Sequence, residues 1–582
     1  MNEISFVDQT IRDAQQSLWG FTMRTRHMLP IAEQMDKVGY RAIATVGSQA
    51  FTVQVRTLDE DPWDRIRQLS RLITKTPLRG SYQIGSLSSF DLSTPREIIA
   101  LWIKRSVANG IRSFWICDYQ TDMEKFVYFA RLAKAEGAEV VPALMYTSSP
   151  VHTLEHWAGK TRFLAEAREW VDRIMIEDAS GVITPEDTRK LVSTVFRHCE
   201  GLPIEFHSHC NSGLAPLCYL EAIKAGVTTL HTAVAPLANG TSLPCVETIV
   251  KNAHRMGFRT SIDEDALAAV SEHFRKVARQ EDLPMGIPQE YDLFHFEHQV
   301  PGGMMTNLTR QLREIGMEHR LNEILEEAVL VRREFGYPVM ATPYSQIVGA
   351  QAVENVVSGK RYERFTDEAI KYVMGLYGKP VVPVDPEVMD RVKRLPKAGQ
   401  FVDWKPEGYE KSVEDLRTEI GPDLSDDDLL LKILIPGGRP FRQEGPQRNA
   451  GVPPSPTDIP PSSFPSSFSV DVDGEVFTVK ISPVWNGAGT PDEGGKARLP
   501  GPVTAAELPP GAVVAGAAGL VLSINVKVGD SLKNGDLVAM IEAMKMRREI
   551  RSSCGGVVRE ICIREGEMVT PQDVLLMVET DA

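Results

Sequence analysis

Two places in this sequence combine residue types and spacing that can do chemistry. The first is His207-Ser208-His209, which closes a short β-rich run from Pro203 to His207. Residues two apart on a strand point to the same face, so both imidazoles look one way. Two imidazoles and a carboxylate form a common metal-ligand set, and Asp13, just past the first β-rich run, can supply the carboxylate. Taken alone, an H-x-H pair is a weak signal, because such pairs also arise in ordinary cores and surfaces. The second place is Glu542-Ala543-Met544-Lys545-Met546, the joint between two similar β-rich segments. A tight hairpin there displays Lys545 at its tip. One exposed lysine is commonplace, but a lysine at the centre of a twofold repeat is poorly explained by chance.

That repeat is read directly from the chain. GLVLSINVKVGDSLKNGDLVAMIE begins at Gly519 and GVVREICIREGEMVTPQDVLLMVE at Gly556, an offset of 37 residues (519 to 556). Gly529 matches Gly566, Asp536 matches Asp573, and Glu542 matches Glu579. Both halves alternate in period two with turn residues between runs, which predicts a small all-β sandwich over 511–582.

The histidines need a different scaffold. Up to about residue 380, short β-rich runs alternate with longer helical stretches. The runs are Glu3–Asp8, Arg41–Val46, Leu78–Ile84, Ser113–Asp118, Glu139–Met145, Arg173–Asp178, Pro203–His207 and Thr228–Val234. Helices are expected at Pro95–Ala108, opened by the cap Ser93-Thr94-Pro95, and at Met123–Ala135 and Thr184–Phe196. Eight β–α units predict an α/β fold, a TIM barrel, with active residues at the C-terminal ends of its strands. An open doubly wound sheet would want a Gly-rich loop after its first strand, and this chain has IRDAQQS there instead. From Asp263 the pattern turns helical, giving a predicted helical cap over 301–435 after a barrel over 1–300. Pro/Ser- and Pro/Gly-rich stretches within 436–510 read as linkers flanking a β-hairpin at 468–481, signalled by Asp473-Gly474.

Composition narrows the partners. The 582 residues hold 64 Lys and Arg against 78 Asp and Glu, a formal charge of −14, which disfavours nucleic acid. No apolar run reaches the ~18–20 residues of a membrane span, and the N-terminus lacks a signal pattern. Seven scattered cysteines without a C-x-x-C pair read as reduced thiols, so a cytoplasmic protein is expected.

The segment around Lys545 resembles the biotinyl domain of biotin-dependent carboxylases and decarboxylases. Its EAMKM matches that family's attachment motif, with Lys545 as the biotinylated lysine between Met544 and Met546. Biotin is a group carrier for carboxyl, so the acceptor site must lie elsewhere. Residues 4–430 resemble the carboxyltransferase part of pyruvate carboxylase and the alpha subunit of oxaloacetate decarboxylase. The resemblance rests on RDAQQSL, MLPIAEQMDKVGY, EDPWDRIRQL, TSSPVHTLE, HSHCNSGLAPLCYLEAI, HQVPGGMMTNL and ATPYSQIVGAQAVENV.

The resemblance implies a divalent metal (zinc, manganese or cobalt) on Asp13, His207 and His209, where it polarises a keto oxygen of the acceptor. It implies carboxyl transfer from carboxybiotin to a pyruvate-type keto acid, or the reverse. Thr342 matches the threonine that relays a proton between substrate and biotin, and Gln16 matches a substrate-contacting glutamine.

Four departures stand out. The family's fourth metal ligand is a carboxylated lysine in I-K-D, and here the segment reads Ile176-Glu177-Asp178, so Glu177 is a candidate ligand with its own carboxylate. Gln15 replaces a family histidine. Gln83 falls at the family's substrate-carboxylate arginine in one register, while Leu78-Arg79-Gly80 matches the family's L-R-G and offers Arg79, with Arg24 a further stand-in. The family's F-R-I-F-D reads Phe114-Trp115-Ile116-Cys117-Asp118, which loses an arginine and keeps Asp118 as a candidate catalytic residue. Glutamine grips a carboxylate more weakly than arginine, so an altered acceptor, a keto-acid or acyl substrate larger or less anionic than pyruvate, is one expectation.

The expected partners are a separate biotin carboxylase, because no Gly-rich ATP site is evident, a biotin protein ligase, and a second copy in a homodimer. Membrane subunits would join them in a decarboxylase. A competing reading is a biotin carrier and assembly scaffold whose barrel has lost or changed activity. A metal-dependent aldolase or lyase fits the barrel but not the biotinyl segment.

Overall fold

The computed structural model describes residues 3–84, 86–87, 94–117, 123–314, 316–402, 410–435, 467–472, 475–480, 511–516, 519–543, 546–569 and 573–579. Its contacts divide the chain into one unit formed by 1–441 with 511–582, and another formed by 442–510. Among the described residues no helix is long and apolar enough to cross a membrane.

Eight parallel strands close into a barrel: β1 (Glu3–Asp8), β2 (Ala42–Gly47), β3 (Leu78–Gln83), β4 (Ile111–Cys117), β5 (Glu139–Met145), β6 (Ile174–Asp178), β7 (Ile204–Ser208) and β8 (Thr229–Thr232). They pair in sequence order, and β1 joins both β8 and β2 to complete the ring. Strands buried on both faces need near-continuous apolar runs, and β2, AIATVG, is buried throughout.

The helices follow their local signals. Pro185–His198 has Thr184 at its N-cap, accepting from the Asp187 amide, Pro185 in its first turn, and Glu186 and Asp187 toward its positive end. The helix at Arg96–Ala108 departs from expectation: Pro95 holds the capping position with no side-chain cap bond, and the Thr94 hydroxyl accepts from the Leu87 amide. Ser93 lies outside the described residues.

Inward-facing residues stack in layers. Register sets Arg79 beside Ser113, Ser113 beside Glu139, and Glu205 beside Thr229 at the N-terminal end of the barrel. The Arg79 guanidinium meets Glu205 Oε2 at 2.5 Å and Glu139 Oε2 at 3.1 Å, and the Arg173 guanidinium lies 2.7 Å from Glu205 Oε1. Above this charged layer, Trp115, Val141 and Met175 form a small apolar cluster with cap residues Val339 and Ala341.

The helices Gly302–Glu314, Leu321–Glu334, Tyr344–Ser358 and Asp367–Val373 enclose a core of their own, including Ile324, Val331, Ile347 and Val348. Sequence patterning extends this cap to residue 435. The structure instead packs Leu429, Leu430, Leu431 and Ile435 into the barrel core. Asp427 fastens that helix to the barrel by ion pairs to Arg67 at 3.0 Å and Arg105 at 2.7 Å. Its carbonyl also accepts from the Trp63 indole at 3.2 Å, so Trp63 is a structural anchor.

The C-terminal sandwich has two four-stranded sheets, and the repeat interlocks them. Ser531–Leu532 of the first half pairs with Gly556–Ile561 of the second, while Met568–Val569 of the second pairs with Gly519–Ile524 of the first. The long hairpin of Leu537–Ala543 with Met546–Arg551 ends on the pair Ala543–Met546. Met544 and Lys545, between those partners in sequence, lie outside the described residues. In the other unit, Ser467–Val472 and Glu475–Lys480 pair antiparallel, in the region of the expected hairpin; Asp473 and Gly474 are outside the described residues.

Candidate active site at the C-terminal mouth of the barrel

Strand alternation builds the site from β6 and β7. Ser208 points away from the barrel axis and donates to Asp178 Oδ2 at 2.8 Å. Asp178 also accepts from the Val182 and Ile183 amides, at 3.0 and 2.9 Å. This brace fixes the two strand ends and leaves Glu177, His207 and His209 on the inner face. Asp13 arrives from the other side on a single π-helical turn, Thr10–Ala14, directly after β1. Such turns are rare and recur at functional sites.

Asp13, His207 and His209 place one ligand atom each within 4.8 Å of one another, and all three residues are buried. His207 Nε2 lies 3.4 Å from Asp13 Oδ2, and His209 Nε2 lies 3.5 Å from Asp13 Oδ1. His209 Nδ1 donates to the Thr241 carbonyl at 2.8 Å, which leaves Nε2 as the nitrogen facing Asp13. Without a cation, Asp13 outweighs burial and raises His209 toward its protonated form; a bound cation would take the Nε2 lone pair instead. His207 Nε2 is buried with no hydrogen-bond partner. A buried imidazole lone pair beside a carboxylate and a second lone pair fits a divalent cation.

The electrostatics agree. Burial alone would raise Asp13, but His209 and the Arg12 guanidinium outweigh it and hold the carboxyl well below its usual range. Burial keeps His207 neutral despite Asp13. Glu177, buried and facing the Asp13 charge, is pushed up to about 8.

All of these groups but His207 line a cavity of about 250 Å³ shared with the cap. Asp13, Gln16, Gln83, Glu177, His209 and Thr342 all border it. The carbonyl oxygens of Gln16, Gln83 and Gln346 are buried without a partner, as is Glu177 Oε2. Glu177 is nonetheless outside the compact three-residue donor cluster.

Arg79 is a correction. It faces the barrel interior like Gln83, but four residues earlier on β3, roughly 13 Å along the strand from Gln83 and away from the mouth. It is fully buried, held by Glu205, Glu139 and Ser113, and cannot reach a substrate. Arg24 does not stand in either: it donates to the Leu58 carbonyl at 2.8 Å and does not border the cavity. Gln15 is buried and accepts from the Met23 amide. Asp118, like Lys545, lies outside the described residues.

Sequence reading missed Arg12. Its guanidinium sits 3.0 Å from Asp13 Oδ2, 3.3 Å from Ser81 Oγ and 4.3 Å over the Trp115 ring, with Nε free of a partner. Its position next to the candidate ligand Asp13 was the available signal. It was hidden because neighbours on a strand face opposite ways, whereas this helical turn turns both inward. Trp115 and Gln346 were also missed. Trp115 has the same parity on β4 as Cys117, which borders the cavity.

Comparison with known proteins finds family matches along most of the chain. Family models match an HMGL-like domain at residues 3–273, a conserved carboxylase domain at 296–480 and a biotin-requiring enzyme domain at 509–578. The B subunit of pyruvate carboxylase from Methanocaldococcus jannaschii is 37% identical, with 93% of this chain and 94% of that protein aligned. The 2-oxoglutarate carboxylase large subunit of Hydrogenobacter thermophilus is 32% identical over 99% of this chain and 95% of its own length. The carboxyl transferase domain of Rhizobium etli pyruvate carboxylase, solved with pyruvate, shares the fold at a TM-score of 0.67 and 22% identity, covering 75% of this chain and 76% of that one.

Proposed function

The chain belongs to the biotin-dependent carboxyltransferases, in the family of the pyruvate carboxylase B subunits, and we propose that its acceptor is a small keto acid carrying a single carboxylate. The observation that carries this reading is the cavity's charge. Among the described residues Arg12 is the only lysine or arginine bordering it, and Arg12 is already engaged by Asp13. The segments 88–93 and 118–122, which follow β3 and β4 in sequence, contain no Lys, Arg or His. A second carboxylate on the acceptor would therefore meet glutamine amides where a bidentate guanidinium is needed.

Each residue then takes a role. Asp13, His207 and His209 hold a divalent ion, with Glu177 as a nearby fourth oxygen donor. The bound ion supplies Lewis acidity toward the acceptor's carbonyl oxygen. Arg12 pairs with the acceptor carboxylate through the face not spent on Asp13. Gln16 and Gln83 orient the acceptor by amide hydrogen bonds. Thr342, entering from the cap side, holds the proton that moves between acceptor and biotin. Lys545 carries the biotin, which brings carboxyl from another site. Carboxylation of that biotin belongs to a separate biotin carboxylase, in keeping with relatives that are themselves one subunit of a pyruvate carboxylase.

The test is a panel: the biotinylated chain, a biotin carboxylase, ATP and bicarbonate, with pyruvate, 2-oxobutyrate, 2-oxoglutarate and oxaloacetate as acceptors. Single-carboxylate acids should show kcat/KM at least tenfold above 2-oxoglutarate. A preference for 2-oxoglutarate would overturn the proposed acceptor class. The carrier-and-scaffold reading gains nothing from this site, whose donor cluster is intact.

A further inference from the structure

Below His207 the barrel interior holds a buried chain of polar groups that the reaction itself does not require. His207 Nδ1 lies 3.3 Å from His231 Nδ1, and His231 Nε2 lies 2.8 Å from Glu205 Oε2. Glu205 is gripped in turn by Arg79, through both terminal nitrogens at 2.5 and 3.2 Å, and by Arg173. His207, His231 and Glu205 are each fully buried.

With the Gln9 amide nitrogen turned toward His231, donor and acceptor logic assigns the protons in this chain. Glu205 faces two guanidinium groups, so its carboxylate is ionised and only accepts. His231 Nε2 must therefore carry a hydrogen and donate to it. His231 Nδ1 is 2.8 Å from Gln9 Nε2, an amide nitrogen that only donates, so His231 Nδ1 is the acceptor. His207 Nδ1, 3.3 Å from the same lone pair, is assigned as N–H that shares it, because two imidazole lone pairs facing each other repel. A neutral imidazole protonated at Nδ1 has its lone pair at Nε2, the atom that faces Asp13 without a hydrogen bond.

We infer that His231, oriented by Glu205, is a positioning residue that fixes the Nδ1–H tautomer and ring angle of His207 and so readies Nε2 for the cation. The inference rests on the reading that Asp13, His207 and His209 bind a divalent ion. The two histidine ligands reach the same tautomer by different means: His209 uses a backbone carbonyl, Thr241, and His207 uses a side chain that can be changed. Outer partners of this kind typically account for 10–100-fold in metal affinity.

Two substitutions separate hydrogen bonding from packing. His231→Phe keeps a ring and removes the acceptor; His231→Gln removes the ring and keeps an acceptor oxygen. The full-length chain is stripped with a chelator, and Mn²⁺ and Zn²⁺ affinities are measured by competition, with thermal unfolding of the metal-free protein as the control for folding. We expect His231→Phe to bind about 10–100-fold more weakly than wild type and His231→Gln to stay within about threefold. If the phenylalanine variant does not fold, His231→Leu is read in its place. Wild-type affinity in the acceptor-less variant, or equal losses in both variants, overturns the inference while leaving the metal site standing. A wild-type chain that binds neither ion overturns both.

Discussion

At the scale of single residues, the site depends on which buried charges have partners. Glu177 stands beside the donor cluster without joining it, so its removal should loosen the ion without releasing it. Glu177→Gln is expected to weaken divalent-ion affinity by about tenfold, whereas His207→Ala, which deletes a cluster member, should leave the purified chain below stoichiometric metal. Elemental analysis of the two variants beside wild type checks both statements. Asp8, at the end of β1, shows the same physics as stability. Burial, only partly offset by the Thr10 hydroxyl and amide, raises its carboxyl from the ordinary 3.8 to about 7. A group raised on folding favours the native state while it is protonated and loses that contribution as pH climbs through its folded value. Stability of the metal-free chain should therefore fall between about pH 4 and pH 7, by up to about 4 kcal/mol from this group. Asp8→Asn should flatten that slope in urea unfolding at a series of pH values. An unchanged slope would assign the dependence to other groups.

At the scale of elements, the cap meets the barrel through a backbone that tolerates no side chain at one position. A Cβ at Gly302 would lie 2.2 Å from Thr241 Cγ2 and 2.7 Å from Asn211 Oδ1, while a Cβ at Gly303 would meet nothing nearer than Ser17 Cα at 4.0 Å. Thr241 also supplies the carbonyl that orients His209. Gly302→Ala should thus displace the start of its helix, disturb the His209 partner and lower kcat/KM by about tenfold or more, with Gly303→Ala close to wild type. Steady-state kinetics on the pair decides it. The elements themselves were legible because each obeys a local rule. All eight strands lie within about two residues of their sequence positions, most of them as β-rich runs bounded by turn residues. The H-x-H pair and Asp13 could be read as one site because barrel topology gathers the strand ends. Arg79 could not be placed, because alternation tells which side of a strand faces inward and not how deep along the barrel a side chain sits. Arg12 and His231 escaped for a related reason: a π-helical turn breaks strand parity, and a histidine's role as a second partner appears only when its neighbours across strands are known. The helix at Asp426–Leu434 belongs to the barrel core and not to the cap, a distinction its apolar stripe cannot carry, since a stripe does not specify which surface it covers.

At the scale of the whole molecule, one chain carries both an acceptor site and the sandwich whose hairpin joint bears Lys545, with a proline-rich stretch between them in sequence. Covalent attachment serves concentration: a tethered carrier reaches its site at an effective level on the order of millimolar, which free biotin must match in bulk. The two halves of the work should therefore separate cleanly. Lys545→Arg removes the attachment point and leaves Asp13, Gln16, His207, His209 and Thr342 untouched. Supplied with a biotin carboxylase, ATP, bicarbonate and pyruvate, this variant should form no carboxylated product above background. Adding free biotin at tens of millimolar, about ten times the effective concentration of the tether, should restore turnover at a KM for biotin far above any physiological level. Metal content should stay equal to wild type, because the donor cluster is built at the ends of β1 and β7 alone. Recovery would show that the barrel is a complete transferase site and the sandwich a delivery device. Failure to recover, with metal retained, would mean that the sandwich contributes contacts to the transfer step beyond carrying biotin, and the search for them would begin at the cap residues lining the cavity around Thr342 and Gln346.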